Sequence, residues 1–318
     1  MTDSYQDYLS TLHSSMKIRE EVLLASVSQI SDDKISDCKR LVAGEANEVY
    51  EITFDRRSAV IVRVSRAGDS HFDQEVWAID RCAAVGVPVP HILSVQHLSD
   101  GSEQLDISIQ EKIQGTLLSE TTLTQSARRT ITEQAGDYLS RIHTISTRGF
   151  GYIDGEGQAA YSTALEEART LLDMTDDFIR AGHKAGVVSV LIERAIAISI
   201  SEAKIADANI SHLIHNDFCA KHIFVDRERI TGIIDFGEVS GGQQVTDFVR
   251  WSRHAEFPLG WLQEGYQNQE LFTPSFLRHL RVKQMEFGLW SMLNYENFPR
   301  GRDEARHQFL KDLQIVDS

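Results

Sequence analysis

Alternating apolar and polar residues predict a small β-sheet in the first third of the chain. Two such runs, VYEITF (49–54) and AVIVRV (59–64), flank the polar segment DRRS and are typical of a β-hairpin. A third run, QLDISIQEKI (104–113), places apolar residues at every second position and predicts a further strand. The segment QGT then ends this strand-rich region.

Helical periodicity appears both before and within this region. Apolar residues recur at helical spacing over residues 5–30, which predicts an N-terminal helical extension. Within the strand-rich region, Phe72, Val76, Ile79 and Ala83 follow one another at intervals of four, three and four. This spacing predicts one helix that ends near Gly86.

After residue 116 the pattern is mainly helical. One amphipathic stripe covers residues 123–142, and further helices are expected at about 161–182 and 186–206. Two short strands are expected within residues 222–234, followed by helices to the end of the chain.

The pattern as a whole predicts an α+β protein with two lobes. Residues 1–113 would form a small antiparallel-sheet lobe with one main helix and the N-terminal extension. Residues 114–318 would form a larger helical lobe. Because the connection between them is short, the ligand site is expected in the cleft between the lobes.

Composition and charge narrow the class of protein. The chain has 318 residues, a polar beginning and no apolar run long enough to span a bilayer. Its three cysteines are far apart, which suits reduced thiols in a cytoplasmic protein. The net charge of −15 disfavours nucleic acid and anionic membranes and favours a cationic small molecule. We expect a cytoplasmic monomer.

The segment HNDFCAKHIFVD (215–226), followed by ITGIIDFGE (230–238), carries the candidate chemistry. Phosphoryl transfer requires a carboxylate that accepts or orients the attacking hydroxyl group, and metal ligands on the other side of the reacting phosphoryl group. Asp217, His222 five residues later, and Asp235 at the start of a D-F-G sequence have the spacing of the kinase template.

These residues resemble the loop of the aminoglycoside phosphotransferase family, which consists of antibiotic kinases with a protein-kinase-like fold. The order HND…H…GIIDFG is most similar to the aminoglycoside 2''-phosphotransferases, and macrolide 2'-phosphotransferases also have histidine at the position of His222. The resemblance covers about residues 36–300. It implies that Asp217 is the catalytic base, that His222 and Asp235 hold Mg²⁺, and that ATP or GTP is the phosphoryl donor.

The histidine is a departure from the commoner asparagine at this position. Mg²⁺ prefers oxygen ligands, although neutral imidazole can donate a ring nitrogen. His222 could instead brace the loop by hydrogen bonding, while His215 is expected to be structural. A rival interpretation is a zinc site formed by His212, His215, Cys219 and His222, whose spacings would converge only on a helix.

The same resemblance assigns nucleotide-binding residues in the first lobe. Gly44, in LVAGEANEVYEI (41–52), falls where the family has its nucleotide loop. Arg63 falls at the family's lysine position and can hold phosphate oxygens with its planar guanidinium group. Glu75, on the following helix, is its expected partner. The strand SIQEKIQG resembles the segment that binds the purine through Glu111 and Ile113, with Gln110 at the gatekeeper position.

The acceptor is expected in the helical lobe. Residues 151–185 contain seven acidic residues against two arginines and one lysine, a composition that suits a polyamine sugar. The substrate carboxylates proposed from this pattern are Glu166, Asp173 and Asp177, together with Glu238 beside the D-F-G sequence and Asp217 itself. Asp247 is expected to hold the catalytic loop. An aminoglycoside, and hence a role in antibiotic resistance, is the preferred interpretation.

Three alternatives remain open from the sequence. A macrolide would need a larger apolar pocket, for which Phe287, Trp290 and Met292 are available, although their helical spacing favours a place in the core. A metabolic amino-alcohol or sugar kinase would use the same chemistry. A pseudokinase that binds nucleotide and regulates a partner is opposed by the presence of both Asp217 and Asp235.

Overall fold

The structure is a computed structural model that describes residues 9, 13, 17–42, 47–66, 70–101, 103–205 and 210–317. Five antiparallel strands form the main sheet in the order β1-β2-β3-β5-β4. Their bounds are β1 Ile35–Leu41, β2 Glu48–Phe54, β3 Val60–Arg66, β4 Ile92–Asp100 and β5 Glu103–Glu111.

The hairpin expected from the alternating pattern is confirmed. β2 pairs with β3 in a register that places Tyr50 opposite Val62, and the residues of both strands alternate between buried and partly buried positions. Helix α1 (Glu20–Ser28) covers the buried face of the sheet through Leu23 and Val27. Residues 17–19 are not helical, so the helix expected over 5–30 is not continuous.

Helix α2 (Phe72–Ala84) confirms the single helix expected in the first lobe. Its buried face includes Glu75, so the sequence places a carboxylate among apolar neighbours. Trp77, on the same helix, contacts Gly157 so closely that a Cβ atom at Gly157 would lie 2.1 Å from the indole ring. Four buried residues of α2 therefore pack with the helical lobe, and not with the core of the five-stranded sheet: Trp77, Ala78, Ile79 and Cys82.

The second part of the chain is mainly helical, as the periodicity predicted. The expected helix at 161–182 is two helices, because the chain leaves helical geometry at Met174 and a new helix begins with acidic residues in its first turn. The helices are α3 Gln125–Ile142, α4 Ala164–Asp173, α5 Thr175–Ala185, α6 Ser189–Ile205, α7 Asp247–Trp251, α8 Leu259–Gly265, α9 Pro274–Asn294 and α10 Pro299–Asp317.

Two small sheets position the loops between these helices. One has the order β11-β10-β6 and the other the order β8-β7-β12-β9. Their bounds are β6 Thr116–Leu117, β7 Phe150–Ile153, β8 Ala159–Tyr161, β9 His212–Ile214, β10 Ile223–Asp226, β11 Arg229–Ile233 and β12 Ser240–Gly242. The expected pair of strands within 222–234 is β10 and β11, whereas β4, β7, β8, β9 and β12 were not predicted from the sequence.

The expected α+β fold, an antiparallel sheet followed by a helical lobe, is confirmed. The division between residues 113 and 114 stays a prediction. Among the helices of the described residues, none combines the length and the apolar character needed to cross a membrane.

Helices α3 and α8 approach each other closely at two glycines. A Cβ atom at Gly265 would lie 1.9 Å from the carbonyl oxygen of Glu133, and one at Gly136 would lie 2.1 Å from the carbonyl oxygen of Leu262. Both obstacles are backbone atoms, so a side chain could be accommodated only by moving one helix.

We predict that Gly265→Ala lowers the free energy of unfolding by about 1–3 kcal/mol, the usual cost of overpacking a close contact. Gly260→Ala, in the same helix, is the matched control because no atom lies within 4 Å of its Cβ position. That variant should be neutral or stabilising by about 0.5–1 kcal/mol. Urea unfolding measures both, and equal values for the two variants would contradict the close approach.

Candidate active site

The loop between β9 and β10 is held by one buried carboxylate. Asp247 is fully buried and accepts backbone N–H hydrogen bonds from His215 (2.9 Å) and Asn216 (2.7 Å). His143 Nε2 lies 3.0 Å from the same carboxylate. The structure thus gives Asp247 the loop-holding role expected from the sequence.

The buried side chain of His215 stabilises the loop through hydrogen bonds to its backbone. Its Nε2–H donates to the carbonyl oxygen of Ile234 at 3.1 Å, and its Nδ1 accepts the backbone N–H of Asp217 at 3.3 Å. The ring packs against Phe236 at a centroid distance of 4.6 Å. Burial lowers the pKa of His215, so the neutral form is favoured. Its place is structural, as expected.

Asn216 ties the loop to the segment after the D-F-G sequence. Its φ of 63° lies in the left-handed region, which asparagine adopts more readily than most residues. The side-chain amide donates to the carbonyl oxygen of Glu238 at 2.6 Å and to Ser240 Oγ at 2.8 Å. The two segments that carry the candidate carboxylates are therefore fastened to each other.

Asp217 has three side chains around its carboxylate. Arg250 Nε is 2.9 Å from Oδ1, Cys219 Sγ is 3.7 Å from Oδ1, and His222 Nδ1 is 3.8 Å from Oδ2. The side chain is 17% exposed, which leaves it accessible from the cleft. The contact with Arg250, from helix α7, was not foreseen in the sequence.

His222 lies between the two candidate carboxylates. Its Nε2 is 3.2 Å from Asp235 Oδ2, and its Nδ1–H donates to the carbonyl oxygen of Asp217 at 2.9 Å. Burial acts to lower the pKa of His222, but Cys219 and the carboxylates of Asp235 and Asp217 overcome this effect and raise the pKa to about 9. The ring therefore carries a positive charge at neutral pH.

The pair formed by His222 and Asp235 fits one edge of a magnesium coordination sphere. Two ligands of a six-coordinate Mg²⁺ at 2.0–2.1 Å lie about 2.9 Å apart, close to the 3.2 Å between these donor atoms. The Asp235 side chain is 45% exposed and can reach an ion in the cleft. His222 would have to release a proton before its Nε2 could ligate the ion.

Arg63 and Glu75 form the ion pair expected in the first lobe. The Arg63 guanidinium contacts the Glu75 carboxylate directly, and its Nη2 lies 3.9 Å from Asp235 Oδ1. Burial acts to lower the pKa of Arg63, but the charges of Glu75 and Asp235 more than offset it, so the pKa is raised. The arginine therefore stays charged beside the D-F-G sequence. Gly44 lies outside the described residues.

The segment expected to bind a purine continues from strand β5. Gln110 is buried, and Glu111 is exposed with its backbone N–H bonded to the carbonyl oxygen of His91 at 2.9 Å. The Ile113 side chain lies against Gly232 of β11, where a Cβ atom would come within 2.6 Å of it. The three residues thus stand at the junction of the two lobes, and their nucleotide role stays a prediction.

The acidic residues proposed for the substrate have different surroundings. Glu238 accepts a hydrogen bond from the Tyr152 hydroxyl at 2.7 Å. Glu166 accepts the backbone N–H of Ser162 at 2.9 Å at the start of α4, and Asp177 pairs with Arg180. Asp173 is exposed at the end of α4. Three of the four have local partners that compete with a substrate.

Glu167, which the sequence analysis did not single out, faces inward. It lies on the side of α4 that carries the buried Ala164, Ala168 and Leu171, so helical spacing could have identified it. Burial raises the pKa of Glu167 to about 7, with Lys283 opposing and Glu286 adding to the shift. These charged residues of α9 therefore share a partly dry environment with Glu167.

The zinc site considered from the sequence does not form with its proposed ligands. Both ring nitrogens of His215 are engaged with backbone atoms, and the segment is a loop with one 3₁₀ turn (Ala220–His222) before strand β10, not a continuous α-helix. Within the described residues, the donor atoms of Asp217, Cys219 and His222 converge to within 4.8 Å of one another. In this set of possible ligands, Asp217 takes the place of His212 and His215.

The chain matches the phosphotransferase enzyme family over residues 37–280. It is 24% identical over 226 residues to hygromycin-B 4-O-kinase from Escherichia coli. That alignment spans 69% of this chain and 63% of the kinase, which is less than two thirds of the relative's length.

Solved structures of similar fold include two kinds of kinase. Aminoglycoside phosphotransferase APH(4)-Ia superposes with a TM-score of 0.72 at 19% identity, covering 92% of this chain and 97% of that one. A thermostable mutant of it, in complex with AMP-PNP and hygromycin B, gives 0.70 at 18% identity and covers 93% and 97%. A microcompartment-associated aminopropanol kinase gives 0.69 at 18% identity and covers 94% and 97%. These likenesses establish the fold.

We predict that Asp247→Asn destabilises the protein by at least about 2 kcal/mol, because hydrogen bonds to a charged group contribute about 1.5–3 kcal/mol each. The variant should also lose turnover, since the loop that carries Asp217 is no longer held. Asp226→Asn, on the exposed end of β10, is the control. Urea unfolding and steady-state assays would contradict the role of Asp247 if both variants behaved alike.

Proposed function

Because the chain belongs to the phosphotransferase enzyme family, we propose that it transfers the γ-phosphoryl group of a nucleoside triphosphate to a hydroxyl group of an aminoglycoside. The observation that carries the proposal is the position of His222 between Asp217 and Asp235, at 3.8 and 3.2 Å. It brings a candidate base and candidate metal ligands together at one point of the cleft.

Asp217 is the residue that would act on the acceptor. Its carboxylate would accept a hydrogen bond from the attacking hydroxyl group and take up the proton as the phosphoryl group is transferred. Arg250 and the loop contacts of Asp247 fix the position of Asp217 before substrate arrives. This preorganisation reduces the cost of orienting the nucleophile.

The donor side of the site would be held by Asp235, His222 and Arg63. Mg²⁺, when bound by Asp235 and His222, supplies positive charge that neutralises the phosphate oxygens. Arg63 is held by Glu75 and lies close enough to Asp235 to contact the same phosphates. Burial acts to raise the pKa of Asp235, but His222 and Arg63 lower it, so the carboxylate is ionised as a ligand must be.

The proposed acceptor is cationic because acidic residues border the cleft. Burial raises the pKa of the Tyr152 hydroxyl group, and the negative charges of the nearby Glu238 and Glu167 carboxylates raise it further. Glu166, Asp173 and Asp177 remain proposed as outer carboxylates on α4 and α5. Ammonium groups of an amino sugar would pair with such carboxylates by charge-assisted hydrogen bonds. The hygromycin kinase relative supports this substrate class.

ATP is the proposed donor, with GTP as the alternative. The fold neighbour solved with AMP-PNP and hygromycin B supports a nucleotide and an aminoglycoside bound together in this architecture. Gln110, Glu111 and Ile113 are the residues proposed to contact the purine.

A kinase for a small amino alcohol is the second candidate. The similarity in fold to an aminopropanol kinase favours it, because such a substrate also combines an amine with a hydroxyl group. A macrolide is less well supported, since Met292 is buried in the core of the helical lobe and Trp290 packs edge-on against Phe178 at 4.9 Å. These apolar residues are occupied by packing, as their spacing predicted.

We predict that the purified protein consumes ATP or GTP with aminoglycosides and not with macrolides. Asp217→Ala should lower turnover by roughly 10²–10⁴, the usual contribution of a general base, while nucleotide binding stays close to wild type. A coupled nucleotide-consumption assay over an antibiotic and amino-alcohol panel measures turnover, and fluorescence with a labelled nucleotide measures binding. Asp226→Ala is the surface control.

The outcomes of this panel separate the alternatives. Turnover confined to small amino alcohols would replace the antibiotic substrate but keep the kinase. Nucleotide binding without turnover on any acceptor would favour a pseudokinase. An Asp217→Ala protein with more than half of wild-type turnover would exclude Asp217 as the base.

We predict that Glu167 makes binding of the cationic acceptor depend on pH. Because its pKa is raised to about 7, the side chain is neutral well below pH 7 and gains its charge as the pH rises through that value. Glu167→Gln should therefore raise KM roughly 3- to 10-fold at pH 8 and have little effect at pH 6, the scale of one ion pair.

The measurement is the ratio of variant to wild-type KM across this range, which cancels the titration of the substrate amines. Glu166→Gln is the matched variant one residue away, on the outer and more exposed face of α4, and it should change KM less than Glu167→Gln does. An effect of Glu166→Gln alone would restore the choice made from the sequence and exclude Glu167.

A further inference from the structure

Donor atoms of three unlike residues converge in the catalytic loop and form a triangle in which every atom lies within 4.8 Å of the others. Cys219 Sγ lies 3.7 Å from Asp217 Oδ1 and 3.7 Å from His222 Nδ1, and His222 Nδ1 lies 3.8 Å from Asp217 Oδ2. Cys219 is almost fully buried, whereas the side chains of Asp217 and His222 are each 17% exposed. An ion would reach the triangle from the side of the two polar residues.

The triangle is slightly wider than the ligand set of a tetrahedral zinc site. Zinc bonds of about 2.3 Å to sulfur and 2.0–2.2 Å to nitrogen and oxygen place tetrahedral ligands about 3.4–3.6 Å apart. The shortest separations exceed this range by a few tenths of an ångström, but those to Asp217 involve its two different oxygens, so the carboxylate must rotate to bring one oxygen to the ion. A loop that ends in a single 3₁₀ turn over Ala220–His222, and not an α-helix, brings the three residues together at spacings of two and three.

The two ring nitrogens of His222 face different sets of ligands. Nε2 faces Asp235, where the proposed magnesium site lies, and Nδ1 faces Cys219 and Asp217. With Nδ1 bound to a metal, Nε2–H would donate to Asp235, the carboxylate–histidine arrangement that supports many zinc ligands. The geometry therefore offers a second metal position that is distinct from the magnesium position.

We propose that Asp217, Cys219 and His222 bind a borderline or soft divalent cation, with Zn²⁺ as the natural occupant, and that its binding inhibits phosphoryl transfer. On binding, the Cys219 thiol and His222 Nδ1 each release one proton to solvent, and Nδ1 gives up its hydrogen bond to the Asp217 carbonyl oxygen to bind the metal. Three protein ligands leave the fourth position open to water.

Metal selectivity follows from the sulfur ligand. Thiolate favours zinc and related ions, whereas Mg²⁺ prefers an all-oxygen set and geometry closer to octahedral. Mg²⁺ should therefore not compete effectively for the triangle. The two ions would be distinguished by chemistry, although both sites share His222.

Inhibition is the expected consequence because the metal would occupy Asp217. A carboxylate that is bound to zinc cannot accept the proton of the acceptor hydroxyl group, and His222 would no longer offer Nε2 to Mg²⁺. This consequence rests on the proposed function, in which Asp217 is the base. Binding of the metal does not rest on it, so the two can be tested separately.

The test of binding uses Co²⁺ as a spectroscopic substitute for zinc in the reduced, full-length protein. We expect one equivalent of Co²⁺ to give a thiolate-to-cobalt charge-transfer band and tetrahedral d–d bands, both abolished by stoichiometric Zn²⁺ and unaffected by excess Mg²⁺. Cys219→Ser should remove the charge-transfer band and weaken zinc affinity at least tenfold. Cys38→Ser, at a half-buried cysteine in β1, is the matched control.

The control should retain the bands, and loss of the signal in Cys38→Ser but not in Cys219→Ser would overturn the proposal. Circular dichroism of each apo variant verifies that it is folded. If Cys219→Ser does not fold, Cys219→Ala replaces it. Absence of any cobalt band in the folded wild type also overturns the site, whether or not the protein is a kinase.

The test of inhibition compares each protein with its own zinc-free rate. Wild type and Cys38→Ser should be inhibited by Zn²⁺ and recover with a chelator, whereas Cys219→Ser should need at least tenfold more zinc for the same fractional inhibition. Equal sensitivity of all three would overturn the inhibitory role. Cobalt bands in a protein without turnover on any acceptor would leave the metal site established and the proposed function rejected.

Discussion

The geometry of the site depends on the buried carboxylate of Asp247. Backbone N–H groups of His215 and Asn216 would otherwise be left without partners in a tight turn, and a charged acceptor satisfies both at once. Because Asp247 begins helix α7, the same contact joins the turn to the helical lobe. Asn216 extends this attachment to Glu238 and Ser240. The loop that carries the reactive side chains is thus held in place by hydrogen bonds that satisfy its own polar groups.

Charge balance at the centre of the site is the second constraint. Asp217 and Asp235 would repel each other in a partly dry cleft, and His222, Arg63 and Arg250 lie beside them with opposite charge. The protonated His222 therefore offsets part of this negative charge, as a bound divalent cation would. A histidine at this position, in place of the commoner asparagine, makes metal binding a competition with a proton.

The sequence predicted what lies close together along the chain. Asp217, His222 and Asp235 come from one loop and the hairpin that follows it, so their spacing along the chain was enough to predict that they lie close together. Arg250 and Glu167 come from separate helices, and their approach depends on packing that no local pattern records. The zinc interpretation failed for a related reason: it required a helix where the chain forms a turn, and so it chose the wrong ligands around Cys219.

The contact between Trp77 and Gly157 bears on how such proteins could be recombined. Helix α2 lies before residue 113, yet its apolar face belongs to the core of the helical lobe, and no side chain larger than hydrogen fits beneath the indole ring. A chimera that took the first 113 residues from a relative would also take that relative's α2, whose side chains are adapted to the helical lobe of the relative and not to this one. Glu75, and with it Arg63, would then lose their positions. The exchangeable module is the five-stranded sheet without α2, although the chain order interleaves the two.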